Sequence, residues 1–246
     1  MKFHNKDAFQ GRPDCVLLDL DNTLYDVEAP MAAGQQAARD YAKNELSIDA
    51  ETFDRAFTVS REELKHRLGH TASSHSRLLY FQRTIERAGL ATQPFAALQM
   101  EQAYWSAYLA EAKLFEDVTD FLDDLRIAGV RVVIVTDLTA QVQHRKMLFF
   151  GLHRYIDWMV TSEEVKADKP APEIFELALA KLGGVEGVIW MIGDNADRDI
   201  IGARHALGAK TIQKLHTGVK EGEGEAQPDA SFKHFSELRR FFSALS

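Results

Sequence analysis

Hydrophobic and polar positions change rhythm twice along the chain. The run Val16-Leu17-Leu18 leads directly into Asp19-Leu20-Asp21-Asn22-Thr23-Leu24. Such a run reads as a strand buried on both faces, and carboxylates are excluded from it except where it ends. The strand is therefore predicted to stop at Asp19. Residues two apart in extended chain point the same way, so Asp19 and Asp21 would present two acids at its carboxyl end. Residues 1 to 13 read as a loosely held arm. From Glu28 to about Ala112 the period becomes helical, with Phe53 and Phe57, Leu64 and Leu68, and Met100, Tyr104 and Tyr108 at one-turn spacing. Gly69, Gly89 and Pro94 punctuate three or four helices, and Ser73-Ser74 stand where a helix start could be capped.

Beyond Ala112 strand and helix alternate. A helix over about 117–128 stops at Gly129, and Val130 to Val135 forms a β-branched strand ending in Thr136-Asp137. A helix reaching Gly151 follows, then a short strand from Ile156 to Val160. Lys169-Pro170-Ala171-Pro172 forms a loop, with Pro172 at the first position of a helix. The strand Val188 to Ile192 closes on Gly193-Asp194-Asn195. A helix over 197–207 and a last strand over 210–215 come next. The tract from Gly218 to Pro228, with Glu221, Glu223 and Glu225 among glycines, reads as a mobile loop, and Leu238, Phe241 and Phe242 belong to a terminal helix.

This alternation predicts an α/β fold: a doubly wound parallel, Rossmann-like sheet core interrupted by an all-helical insert. The core is assigned to residues 1–26 and 113–246, and the helical cap domain, inserted after the first strand, to 27–112.

Composition adds bounds. The chain has 246 residues, 46% hydrophobic and 27% charged, with a formal charge of -8. That balance argues against a broad nucleic-acid surface and leaves room only for a local basic site. No apolar stretch is long enough to span a bilayer and the start resembles no signal region, so a cytoplasmic protein without membrane association is expected. Cys15, the single cysteine, reads as a small buried apolar residue.

The candidate chemistry lies at the strand ends. Asp19 and Asp21, Thr136 and Asp137, and Asp194 with Asp199 a turn further on would gather at one edge of a parallel sheet, where such sheets bind ligands. Two carboxylates about 4 Å apart repel by roughly 4 kcal/mol at an effective dielectric of 20. Asp19, Asp21, Asp194 and Asp199 sharing one site therefore need a hard cation, and oxygen-only ligands favour Mg²⁺ together with a substrate phosphate. Lys169 adds a positive charge and Thr136 a hydroxyl, both suited to phosphate oxygens.

Asp19-Leu20-Asp21-Asn22-Thr23, then Thr136, then Lys169 before Pro170, then Gly193-Asp194-Asn195-Ala196-Asp197-Arg198-Asp199 together resemble the haloacid dehalogenase superfamily of hydrolases, in its phosphatase branch with a helical cap of the C1 type. Each motif alone is weak, but all four occur in order across the core. Thr136-Asp137-Leu138 resembles the subgroup of sugar-acid and nucleotide phosphatases, N-acylneuraminate 9-phosphatase among them.

The resemblance implies that Asp19 is the nucleophile and Asp21 the general acid and base. It also implies that Asp19, the Asp21 carbonyl, Asp194 and Asp199 surround Mg²⁺, and that Leu20, Thr136, Asp137 and Lys169 hold the phosphoryl group. Relatives often carry Asn or Ser at the position of Asp137, where only the backbone N–H would serve. The implied activity is phosphomonoester hydrolysis on a small soluble phosphorylated metabolite through an aspartyl phosphate. Phosphomutase or phosphotransferase chemistry is the neighbouring alternative. Halide displacement by a 2-haloacid dehalogenase is disfavoured by Asp21, and a non-catalytic phosphoacceptor or scaffold by the full set of side chains.

Within the insert, Arg55, Arg61, Lys65, Arg67, Arg77, Arg83 and Arg87 read mainly as a solvated basic face. Tyr104, Trp105 and Tyr108 read as packing. His66 and His70 have a metal-binding spacing but no acid ligand beside them. His75 and Arg77 are the residues most worth inspecting there.

Overall fold

The computed structural model describes residues 1–184 and 186–245. Contacts divide the chain into two compact units, Met1–Asp26 with Lys113–Ser246, and Val27–Ala112.

The first unit is an α/β domain around one seven-stranded sheet. Its strands are β1 (Lys2–Phe3), β2 (Cys15–Leu18), β3 (Arg131–Thr136), β4 (Trp158–Thr161), β5 (Ile189–Gly193), β6 (Lys210–Lys214) and β7 (Ala230–Phe232), in the order β1-β7-β6-β5-β2-β3-β4. All neighbours are parallel except β1, which runs antiparallel to β7. The sheet is thus parallel with one antiparallel edge strand, not parallel throughout. All four residues of β2 are fully buried, as an apolar run between two parallel neighbours requires. Leu18 lies opposite both Ile134 and Ile192, so β2, β3 and β5 finish side by side. Successive strands diverge to either side of β2, which makes its carboxyl end the topological switch point of the sheet.

The second unit is all-helical: α1 (Glu28–Leu46), α2 (Ala50–Leu68), α3 (Arg77–Arg87) and α4 (Pro94–Glu111). Asp49 caps α2 by accepting from the Thr52 N–H at 2.9 Å. Ser76 caps α3, accepting from the Leu79 N–H, whereas Ser73 and Ser74 fall inside a short 3-10 turn, Ala72–His75. The capping residue thus falls two residues beyond the predicted serine pair. Phe53, Phe57, Phe81 and Tyr104 form a continuous aromatic core with successive ring centroids 5.8 Å apart. A Cβ at Gly34 would stand 2.8 Å from the Tyr104 ring, so glycine there is what lets α1 and α4 lie together.

The remaining helices belong to the first unit: α5 (Val118–Ile127), α6 (Ala140–Phe149), α7 (Ser162–Val165), α8 (Pro172–Lys181), α9 (Gly202–Leu207) and α10 (Phe235–Ser243). A π-helical segment, Ala196–Ile201, precedes α9 where a regular helix is predicted. Among the described residues no helix is long and apolar enough to cross a membrane.

Two sequence expectations fail together. The arm is not loose: β1 joins the sheet, the Met1 ammonium pairs with Glu237 at 2.5 Å, and the buried Phe9 meets Trp190 and Phe241 edge-on. Nor is the glycine-rich tract free. Glu221 accepts from Lys2 at 2.7 Å, His4 at 2.8 Å and Ser231 at 2.5 Å, and the Gly222 N–H donates to Gln213 at 2.9 Å. Lys2 and His4 are 219 and 217 positions from Glu221, and local composition carries no trace of such a contact.

Candidate active site

The site is built at the carboxyl ends of β2, β3 and β5. The Asp19 N–H donates to the Ile192 carbonyl at 2.9 Å, the last sheet bond before β2 leaves the ladder. Asn22 takes a left-handed backbone conformation (φ 65°), which its short amide side chain tolerates, and the chain folds back so that Thr23 Oγ1 donates to Asp19 Oδ2 at 2.7 Å. Asp19 is 5% exposed. From the loop before α8, Lys169 Nζ donates to Asp19 Oδ1 at 2.7 Å, Asp199 Oδ1 at 2.6 Å and the Val135 carbonyl at 3.1 Å. All three donors of its ammonium are thereby used.

Asp199 reaches this point because the π-helical segment turns it inward. Its second oxygen accepts from the Asn195 N–H at 3.0 Å, and the Asn195 side chain accepts from the N–H groups of Asp197 and Arg198. A Cβ at Gly193 would overlap the Asp199 carboxylate, so the glycine ending β5 is a condition of the approach. Oxygens of Asp19, Asp194 and Asp199 lie within 4.8 Å of one another.

The electrostatics follow from three acids sharing one ammonium. Burial, reinforced by the charges of Asp19 and Asp199, pushes the Asp194 carboxyl up to about 8. Burial likewise raises Asp199 to about 6 and raises Asp19, against the pull of Lys169 in both cases. Burial would lower the Lys169 ammonium, but the carboxylates of Asp19, Asp199 and Asp137 outweigh it and hold it well above the ordinary lysine range. Excess buried negative charge in an all-oxygen donor set fits a hard divalent cation.

Asp21 stands apart from that cluster. Lys146 Nζ, on α6 and 1% exposed, donates to both Asp21 oxygens at 2.7 Å, Tyr25 donates from its hydroxyl, and Gln143 adds a longer bond at 3.4 Å. Burial would raise the Asp21 carboxyl, but the Lys146 ammonium and these hydrogen bonds hold it below the ordinary carboxylate range. Gln143 also donates to Thr136 Oγ1 and to the Asp137 carbonyl, both at 2.7 Å, which joins the end of β3 to Asp21.

The Asp137 carboxylate accepts from the Lys169 backbone N–H at 2.9 Å and from Arg198 at 3.1 Å. It braces the Lys169 loop against the Asp199 segment. Leu20 has a buried side chain and a carbonyl bonded to the Leu24 N–H. Sequence reasoning missed Thr23, Tyr25, Gln143, Lys146 and Arg198. Thr23 and Tyr25 sit four residues after Asp19 and Asp21 and bond back to them across one turn, whereas Gln143 and Lys146 look like surface residues of an ordinary helix.

The strand-end cluster, the switch-point geometry and the helical insert define an α/β protein with a carboxylate-lined site at the edge of a parallel sheet. The haloacid dehalogenase-like hydrolase family matches residues 13–206, and the chain belongs to that family. It is 40% identical over 198 residues to a ribulose-1,5-bisphosphate 5-phosphatase of Halopiger xanaduensis, covering 80% of this chain and 82% of that protein. It is 28% identical over 217 residues to the N-acylneuraminate-9-phosphatase of Homo sapiens, covering 85% of each. Its fold matches the crystal structure of a 2-haloacid dehalogenase from Pseudomonas syringae pv. Tomato DC3000 with a TM-score of 0.75, at 21% identity, covering 93% of this chain and 97% of that one.

Proposed function

We propose that the protein is a Mg²⁺-dependent phosphomonoester hydrolase acting on a small phosphorylated metabolite, with Asp19 as nucleophile. The observation that carries this reading is the placement of the Asp19 carboxylate, bonded to Thr23 and Lys169, within the Asp194 and Asp199 cluster. Relatives named as phosphatases of a sugar bisphosphate and of a sugar-acid phosphate support that substrate class.

In this reading an Asp19 oxygen attacks phosphorus, and the ester oxygen leaves with a proton from Asp21. Water then attacks the aspartyl phosphate, its proton passing to the Asp21 carboxylate, and Asp19 and phosphate are released. The pairing with Lys146 keeps Asp21 in the carboxylate form that the second step needs. In the first step Asp21 carries a proton and so exchanges its ion pair for the leaving group. Thr136, Lys169 and the backbone N–H groups of Leu20 and Asp137 would hold phosphoryl oxygens. Asp19, the Asp21 carbonyl, Asp194 and Asp199 would hold Mg²⁺, which when bound neutralises negative charge on the acids and the phosphoryl group. The helical insert would act as the cap that selects substrate. An acid at position 21, absent from dehalogenases, favours phosphoryl transfer over halide displacement.

The test is phosphate release from a panel of sugar, sugar-acid, nucleotide and small organic phosphates, with Mg²⁺ and with chelator, beside Asp19→Asn. Metal-dependent release abolished by the substitution supports the reading. Unchanged turnover in Asp19→Asn refutes the nucleophile, and an isomerised sugar phosphate without free phosphate converts the assignment to a mutase.

A further inference from the structure

The helical unit contains a cavity of about 210 Å³ lined by Arg61 and Arg77, the aromatic rings of Phe57, Tyr80 and Tyr104, and Gln35. Its cations are in an unusual position. Other arginines of the unit have acids: Arg39 pairs with Asp54 at 2.7 Å, and Arg83 and Arg87 with Glu63 at 3.0 and 2.5 Å. Arg77 has none among the described residues. Its guanidinium lies over the rings of Tyr80, Tyr104 and Trp105, 5.3–5.6 Å from their centroids, and one nitrogen donates to the His75 carbonyl at 2.8 Å. Its remaining electrostatic neighbours are tyrosine hydroxyls. No carboxylate pairs with Arg77 among the described residues, and a guanidinium carries five N–H donors.

A partly buried cation stacked on aromatic faces keeps its orientation without losing its charge to a carboxylate. Such an arrangement is built to receive an anion, since an ion out of bulk water is costly until paired. Arg61, on α2, brings a second cation to the same cavity and makes no ion pair among the described residues. The volume is below the roughly 300 Å³ of drug-sized pockets, so the guest is small. Gly34 belongs to the design, because any side chain there would push the Tyr104 ring that walls the cavity.

We propose that this cavity is an anion-binding site of the helical unit, taking the phosphate or carboxylate group of a small molecule, with the Arg77 guanidinium as principal donor and Arg61 as second cation. The proposal stands on residues of the helical unit alone and is independent of the chemistry assigned to Asp19.

The protein has three tryptophans, and Trp105 is the one in the helical unit, with Trp158 on β4 and Trp190 on β5. The full chain, ¹⁵N-labelled and kept metal-free with chelator, is titrated with inorganic phosphate and, separately, with malonate, following the three indole N–H resonances. The Trp105 resonance, assigned through Trp105→Phe, is expected to shift saturably with at least one probe. A response to phosphate alone identifies a phosphorylated guest, to malonate alone a carboxylate, and to both a general oxyanion site. Arg77→Met, which keeps the stem that packs on the rings, should weaken the shift at least tenfold, and Arg77→Lys should retain part of it. Lys169→Met, which disables anion capture in the α/β unit, should leave it intact. The proposal is overturned by an immobile Trp105 resonance in the wild-type chain up to about 50 mM of either anion, fifty times a millimolar dissociation constant. It is equally overturned by a shift that survives Arg77→Met.

Discussion

Replacing Lys146 with methionine removes the ammonium that bonds both oxygens of Asp21 at 2.7 Å while keeping the stem of a side chain only 1% exposed. Unit charges about 3 Å apart attract by roughly 5.5 kcal/mol at an effective dielectric of 20. Asp21 is 26% exposed, so water recovers part of that when the ammonium is lost, and a coupling of about 2–4 kcal/mol remains. The assay is a double-mutant cycle of Lys146→Met and Asp21→Asn by urea unfolding at about pH 7.5, with added salt as a control. Salt should change the coupling little, because a largely buried pair is weakly screened. The sign in pH is determined by the lowered Asp21 carboxyl. A group depressed on folding contributes stability that is complete above its unfolded value, about 3.9, and lost only as pH falls through the lower folded value. The coupling should therefore be flat between about pH 5 and 8. A coupling below about 0.5 kcal/mol would refute the claim that Lys146 clamps Asp21. The single variant should also lose roughly 10–100-fold in kcat through a mis-set acid and base.

Further outcomes can be measured alongside. Asp19→Asn should lower turnover by at least about 10⁴-fold with the fold retained, checked by phosphate release and circular dichroism. Gly193→Ala should drive the Asp199 carboxylate from its place and raise the Mg²⁺ concentration for half-maximal activity by about 10–100-fold; an unchanged requirement would remove Asp199 from the site. The raised carboxyls of Asp194, about 8, and Asp199, about 6, mean that the metal-free fold binds more protons than the unfolded chain at neutral pH. Stability without metal should thus fall as pH rises from about 4 to 8, and the gain in Tm on adding Mg²⁺ should be larger at the upper end. A pH-independent gain would contradict the shared-charge picture. Phe9→Ala should cost about 3–4 kcal/mol in urea unfolding, because the ring is buried against Trp190 and Phe241; a loose arm would lose almost nothing.

Much of the architecture was legible in the chain because it is local. The β-branched apolar run from Val130 to Val135, the helical spacing of Phe53 and Phe57, and the acids that close apolar runs at Asp19 and Asp194 are signals carried within a few residues. Parallel pairing then brings the strand ends together whatever the loops do. What tertiary structure alone decided involves partners far apart in sequence. Lys146 is 125 positions from Asp21, and Arg198 is 61 from Asp137. Asp137 looked like one more acid facing the phosphoryl site, but the fold turns its carboxylate onto Arg198 and the Lys169 backbone. Arg77 looked like one charge of a basic face and became a cation stacked on three aromatic rings. The physical reason is common to all four. A charged side chain reads as solvated wherever it occurs in a sequence, and only the packed chain shows which charges have left water and what has replaced it.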